Sequence, residues 1–434
     1  MRNIIVHPGA KNLVYEIREI VNIAQKIQKM GVPIIWENIG DPVEKGEKVP
    51  DWIRQYVIDA VSESKTYKYS PSKGLQSARE YIAYERNIEG GIQITPDDIL
   101  FFNGLGDAIS MVYRNLNRKT RIMGPNPAYP THSSAEAAHS DAPYITYALN
   151  PYNGWQPDIN EMEQKIKAHP EISGILIINP DNPTGFVYEV HVMKQIVDLA
   201  RKYNLFIISD EIYSNLTYGD IEYKKLAAVV EDVPAIGMRG ISKEFPWPGA
   251  RCGWIEFYNR DKDRDFKDYT QALINSKMLE VCSTTLPQSV IPTIMSDPRY
   301  YPYVGQRCKN YKRRAEIACD LFSKIPELIV NMPHGAFYMS VIFKDGVLTD
   351  KQMLPIENKE VRGFFKETIE KEKILDRRFT YSLLASTGIC VVPLMSGFNS
   401  SYCGFRFTLL ESDEAKFKKI IETICRSIRE YISS

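Results

Sequence analysis

Residues 174–178, GILII, and 205–208, LFII, are unbroken apolar runs. A strand with one wet face alternates polar and apolar residues; a strand covered on both faces does not. Each run ends in polar residues, NPDNPTG at 179–185 and SDEIYSNLTYG at 209–219. Between them Val190, Ile196, Val197 and Leu199 mark a helix. Strand, polar end, helix, strand, polar end is the repeat of an α/β fold with a parallel sheet. Such sheets gather ligand-binding residues at the carboxyl ends of their strands. Asp210 stands at one such end, just beyond Leu205–Ile208, where a buried charge needs a partner. Asn179 and Asn182 alternate with prolines, so the backbone fixes their direction.

The size, 434 residues and 49.8 kDa, suits a large and a small domain, and 44% hydrophobic residues supply the cores. The 54 Lys plus Arg balance 54 Asp plus Glu. No basic excess points to nucleic acid. The start, MRNIIVHPGAKN, has no long apolar stretch of a signal peptide, and no apolar run reaches the roughly 18 residues of a membrane span. Seven scattered cysteines without a CxxC pair fit a reducing compartment, most simply the cytoplasm. Six histidines, at 7, 132, 139, 169, 191 and 334, form no ligand-spaced cluster, so no metal is expected.

Four further stretches carry chemistry. DILFFNG at 98–104 runs into GLGDAISMVYRNL, a Gly turn feeding a helix whose free N–H groups at Gly104, Leu105 and Gly106 suit an anion. Asp107 is less expected beside an anion. Tyr129 is held between Ala128 and Pro130, either to cover core or to lie on a planar ring. RGISKEFPWPGARCG at 239–253 places Lys243 at the start of a proline-stiffened loop, with Arg251 eight residues on. A lysine there is either an ordinary surface residue or a partly buried amine. In the second case its pKa falls, and it can form a Schiff base with an aldehyde cofactor. Arg251 offers a fork to a phosphate. Arg406 alternates with Phe405 and Phe407 on a strand, which is either a solvated face or a carboxylate clamp. Tyr15 and Arg18 share one face of a helix expected over 13–30.

Together, SKEFPWPGARCG, NPDNPTG and SDEIY resemble the fold type I aminotransferases of class I and II, which carry pyridoxal phosphate (PLP) on a lysine. Their order and separations match, with 28 residues from Asn182 to Asp210 and 33 from Asp210 to Lys243. The resemblance covers nearly the whole chain. It implies a large domain with a mostly parallel seven-stranded sheet and a smaller α+β domain. The expected division is 1–48 with the small domain, 49–298 as the PLP domain and 299–434 as the small domain. NIGDP at 38–42, YSPSKGLQSARE at 69–80 and Tyr15 with Arg18 look most like the alanine aminotransferase branch.

The resemblance also implies roles. Lys243 binds PLP and moves the substrate's Cα proton, Asp210 supports the ring nitrogen, and Tyr213 and Asn182 reach the ring's phenolic oxygen. Gly104, Leu105, Gly106, Ser242 and Arg251 hold the phosphate, Tyr129 stacks on the ring, and Tyr69 serves the neighbouring subunit of a homodimer. Arg406 takes the α-carboxylate, Gly40 offers its backbone beside it, and Tyr15, Arg18 and Phe337 meet the substrate. Asp107 is expected to cap its helix or to reach the ring-nitrogen network. One departure stands out: the family commonly has Ser or Thr three residues before the lysine, and this chain has Gly240, with Arg239 next to it as a possible compensation. The implied activity is transamination of alanine and glutamate with pyruvate and 2-oxoglutarate. Aspartate or broad aromatic and branched specificity is the alternative, and a PLP-dependent lyase or decarboxylase is another.

Overall fold

The computed structural model describes residues 5–13, 17–369 and 371–434. Its centre is a sheet of eight strands. In spatial order they are Ile99–Phe102, Gly253–Tyr258, Ala235–Gly240, Phe206–Asp210, Ile172–Ile178, Arg121–Asn126, Thr146–Asn150 and Gln156–Pro157. The five from Ala235–Gly240 to Thr146–Asn150 run parallel, and Gly253–Tyr258 is antiparallel to both of its neighbours. The two-residue Gln156–Pro157 adds an eighth strand at the edge of the seven expected. Every residue of Ile99–Phe102, Ala235–Gly240 and Gly253–Tyr258 is buried, as both-face coverage requires. Ile178 pairs with Asp210, and Asp210 with Met238. Three neighbouring parallel strands therefore end at one edge, and the chain leaves them as Asn179, Glu211 and Ile241.

A second sheet of four strands, Leu328–Val330, Tyr338–Phe343, Gly404–Thr408 and Val392–Pro393, is antiparallel throughout. Helices Tyr300–Phe322 and Glu414–Ser433 pack against each other beside it. The helix and strand of the first segment join this part of the molecule, whereas Pro8–Asn12 pack on helix Pro130–Ser140 beside the large sheet, Asn12 Nδ2 donating to the Ala137 carbonyl at 3.1 Å. The segment's helix covers Ile17–Lys29 rather than beginning at 13, and Pro8–Asn12 form a short 3-10 turn. Ile20, Ile23 and Ile27 enter one apolar cluster with Val361, Phe365 and Tyr381, and Ile35–Trp36 pair in parallel with Ile389–Cys390. Helix Lys359–Ile369 starts two residues before its apolar pattern, because Asn358 Oδ1 accepts the N–H groups of Glu360 and Val361. No helix among the described residues is long and apolar enough to cross a membrane.

Beneath the large sheet lies a buried ionic cluster. Arg86 Nε is 2.8 Å from Glu256 Oε2, and Arg239 Nη1 is 3.2 Å from Glu85 Oε2 and 3.7 Å from Glu256 Oε1. Burial alone would raise the Glu256 carboxyl. The Arg86 and Arg239 guanidiniums overcome that and hold it at about 2. Removing one partner of a buried pair strands the other charge and costs about 3–5 kcal/mol. Arg86→Ala is expected to lower stability by about that amount, read as a fall in the urea midpoint at unchanged slope. An unchanged midpoint would mean that water reaches Glu256.

Candidate active site

Lys243 occupies the short helical turn Ile241–Glu244 that follows strand Ala235–Gly240. Its Nζ donates to the Gly40 carbonyl at 2.6 Å and lies 5.7 Å from the centre of the Phe337 ring. The side chain is half-buried. Loss of hydration pushes its pKa down to about 8, helped by the nearby cations Arg406, Arg251 and Arg307 against the opposing pull of Asp41. The turn is fixed from behind. Arg307 Nη1 donates to the Lys243 and Glu244 carbonyls at 2.8 and 2.5 Å, and Glu244 is bonded by Ser214, Asn215 and Tyr300.

Lys243 opens on a cavity of about 530 Å³ with Asp210, Asn182, Tyr213, Tyr129, Ser242, Leu105, Gly106, Arg251 and Arg18. Ten of the sequence-predicted residues thus converge, Lys243 included. Asp210 comes with a support that sequence reasoning missed. His132 Nε2 lies 3.1 Å from Asp210 Oδ2, and His132 Nδ1 lies 3.3 Å from the Tyr113 hydroxyl. All three are buried. Burial holds the Tyr113 phenol well above its usual pKa, so it stays a donor. It donates to Nδ1, leaving Nε2–H to donate to the carboxylate. His132 stands three residues after Tyr129 on helix Pro130–Ser140, the single sequence signal pointing to it.

Across the cavity floor, Tyr213 donates to the Tyr338 hydroxyl at 3.2 Å, and burial pushes its own phenol well above the normal range. Asn182 Oδ1 accepts from Arg406 Nη1 at 3.2 Å, while Arg406 Nη2 donates to the Asn38 carbonyl at 2.5 Å. Arg406 lies 4.4 Å from the Tyr338 ring centre, and its Nε is buried without a hydrogen-bond partner. Arg406 and Gly40 stand behind the cavity wall, reaching it through Asn182 and Lys243. Phe337 is fully buried against Tyr213 and Tyr338, off the cavity wall. Tyr15 lies outside the described residues.

The anion end is built from Gly104 and Arg251. Gly104 has φ +86°, and a Cβ there would stand 2.3 Å from Arg251 Nη2, so only glycine lets the guanidinium reach the helix N-terminus. Asp107 turns back to accept the Asn103 N–H at 3.1 Å and lies 3.7 Å from Lys277, which is the capping alternative. Gly240 is explained by space: a Cβ would come within 2.9 Å of the Cys252 carbonyl. Arg239 does not compensate for it. The residue points from the strand's other face into the buried ionic cluster, 5.5 Å from the Trp254 ring centre. Tyr69 is 85% exposed and touches none of this. It borders an exposed apolar surface with Tyr67, Met278, Leu279 and Val281, held together by Thr285 Oγ1 to the Lys68 carbonyl and Ser70 Oγ to the Ser283 carbonyl.

The family profile described as aminotransferase class I and II matches residues 33–424. The chain belongs to that family. It is 51% identical over the full length of both chains to an uncharacterized aminotransferase of Methanocaldococcus jannaschii. It is 31% identical to the glutamate-pyruvate aminotransferase AlaA of Escherichia coli K12 over 333 residues, 76% of this chain and 80% of that one. Among solved structures, the alanine aminotransferase of Pyrococcus furiosus superposes with a TM-score of 0.84 at 25% identity, covering 99% of this chain and 100% of that one. The fold is that of the fold type I PLP-dependent aminotransferases.

The residues present fit that cofactor. A carboxylate fixed by His132 would suit a cationic ring nitrogen, a lysine with a depressed pKa an aldehyde, and a glycine turn roofed by Arg251 a phosphate. The depressed amine is directly testable. Only the neutral amine is a nucleophile, so acylation of Lys243 in the cofactor-free protein, followed peptide by peptide, is expected to reach its plateau through about pH 8. Exposed lysines continue to gain reactivity toward their ordinary 10.5. A Lys243 profile like theirs would show that burial does not tune it.

Proposed function

We propose that this aminotransferase exchanges amino groups between alanine and glutamate as donors and pyruvate and 2-oxoglutarate as acceptors. The observation that carries the reading is the convergence of one depressed lysine amine, one His-supported carboxylate and Arg18 on a single cavity. When bound, PLP supplies an aldehyde for the substrate amine and a ring that accepts the electron pair left at Cα. Lys243 would hold that aldehyde and carry the substrate's Cα proton, its neutral form being available near pH 8. Asp210 would face the ring nitrogen and favour its protonated form, and His132 with Tyr113 holds the carboxylate in position. Tyr213 and Asn182 would donate to the ring's oxygen, Gly104, Leu105, Gly106, Ser242 and Arg251 would hold the phosphate, and Tyr129 would cover the ring. Arg406 would bind the substrate α-carboxylate by exchanging its bonds to Asn182 and the Asn38 carbonyl for a two-pronged contact, with Gly40 beside it.

Arg18 on the first helix would meet the distal carboxylate of glutamate. The names of the Escherichia coli and Pyrococcus furiosus relatives support the same substrates. In this reading residues 1–48 move with 299–434 as the small domain against 49–298. The pairing of Ile35–Trp36 with Ile389–Cys390 supports that division. With alanine, glutamate, aspartate, tyrosine and leucine offered as donors, kcat/KM is expected to be highest for alanine and glutamate. Arg18→Ala is expected to lower the glutamate half-reaction tenfold or more while sparing alanine. Aspartate exceeding alanine tenfold would overturn the substrate assignment, and equal losses would remove Arg18 from its role.

The working unit in this reading is a cytoplasmic homodimer. The exposed apolar surface around Tyr69 is what a second copy would cover, bringing that tyrosine to the neighbour's phosphate. Lys243→Ala and Tyr69→Phe protomers are each expected to be weak or inactive. Mixed, they give heterodimers with one undamaged site and regained turnover. Sedimentation of an active monomer would contradict the dimer.

A further inference from the structure

A second cavity, about 650 Å³, shares no lining residue with the first. One wall is the loop after strand Phe206–Asp210, with Ser214, Asn215, Tyr223, Lys224 and Lys225; the other is helix Tyr300–Phe322, with Gly305, Lys309 and Lys312. Its size suits a small metabolite rather than a single water or ion.

Its charge is one-sided. Lys224, Lys225, Lys309 and Lys312 line it, against Glu89 as the one carboxylate. Glu89 is committed to Lys225 and to Arg86 Nη1, the latter at 2.6 Å. Lys224, Lys309 and Lys312 have no carboxylate partner among the described residues, although the chain as a whole is neutral. Lys309 and Lys312 stand three apart and so share a helix face. Gly305, one turn earlier on that helix, leaves open space: a Cβ there would meet nothing within 4 Å. Tyr223 lines the facing wall with its ring, its hydroxyl being buried among Glu211, Glu244 and Arg239 of the ionic cluster. Lys225, at 8% exposure, is taken up by Glu89.

We propose that this cavity binds a small organic or inorganic polyanion, with Lys309 and Lys312 on one side and Lys224 on the other. Carboxylate and phosphate groups both meet that description. The site is independent of the transamination reading, and its test requires no turnover.

The test is calorimetric titration of the full-length protein saturated with PLP, so that the phosphate cradle at Gly104 is filled, using inorganic pyrophosphate in one arm and citrate in the other. One ion per chain is expected to bind in at least one arm, weakening as salt rises. Pyrophosphate alone binding identifies a phosphate-bearing ligand, citrate alone a polycarboxylate, and both a site that reads charge. Lys309→Gln with Lys312→Gln, two substitutions on a solvent-facing helix side, is expected to raise Kd tenfold or more with the circular dichroism spectrum unchanged. No saturable binding of either ion below about 10 mM, or a Kd unmoved by the double substitution, would overturn the site.

Discussion

A lysine amine kept from water beside three guanidiniums is the constraint to which the rest of the site answers. In water that amine would be almost wholly protonated at neutral pH and useless as a nucleophile. Burial lowers its pKa to about 8, and Arg406, Arg251 and Arg307 add to the effect. The Gly40 carbonyl gives it one good acceptor, which holds it without restoring its charge as a paired carboxylate would. Two of those cations, Arg406 and Arg251, have the fork that suits a carboxylate or phosphate, while Arg307 is committed to the backbone of the lysine turn and to Glu47.

The sheet makes this arrangement possible. Three adjacent parallel strands end together, so Asn182, Asp210 and Lys243 reach one cavity although 61 positions separate the first from the last. The first segment and the strand carrying Arg406 then close on it from the other side. Gly40 bonds Lys243, and Arg406 bonds both Asn182 and the Asn38 carbonyl. Arg307, itself anchored to Tyr311 and Glu47, ties the backbone of the lysine turn to that same segment. Position and chemistry of the lysine are therefore set by contacts that cross the molecule.

Much of this was legible in the chain itself. Unbroken apolar runs ending in polar residues marked the strands and where the site had to be, because both-face burial leaves no other composition. Local motifs placed Lys243, Asp210 and Arg251. The helix after Asn358 began early because a cap, rather than the apolar period, set its start. His132 was missed for a different reason. Its partner Asp210 is 78 residues away, and nothing near His132 in sequence announces a contact made only by packing helix Pro130–Ser140 on the sheet. Arg239 was misjudged because its neighbour Gly240 drew attention to the phosphate. Strand alternation sends the two residues to opposite faces, and the arginine belongs to the acidic cluster below. Tyr69 stays exposed and touches no part of the site in its own chain, so its expected role at a neighbour's phosphate rests on the proposed dimer.

The central claim is that one lysine, Lys243, anchors the cofactor. The direct measurement is borohydride reduction of the protein after incubation with PLP, followed by proteolysis and mass spectrometry of the modified peptide. The account predicts a single stoichiometric pyridoxyl adduct on Lys243, lost in Lys243→Ala while that variant keeps its circular dichroism spectrum. A stoichiometric adduct on any other lysine, or none at all, would contradict it.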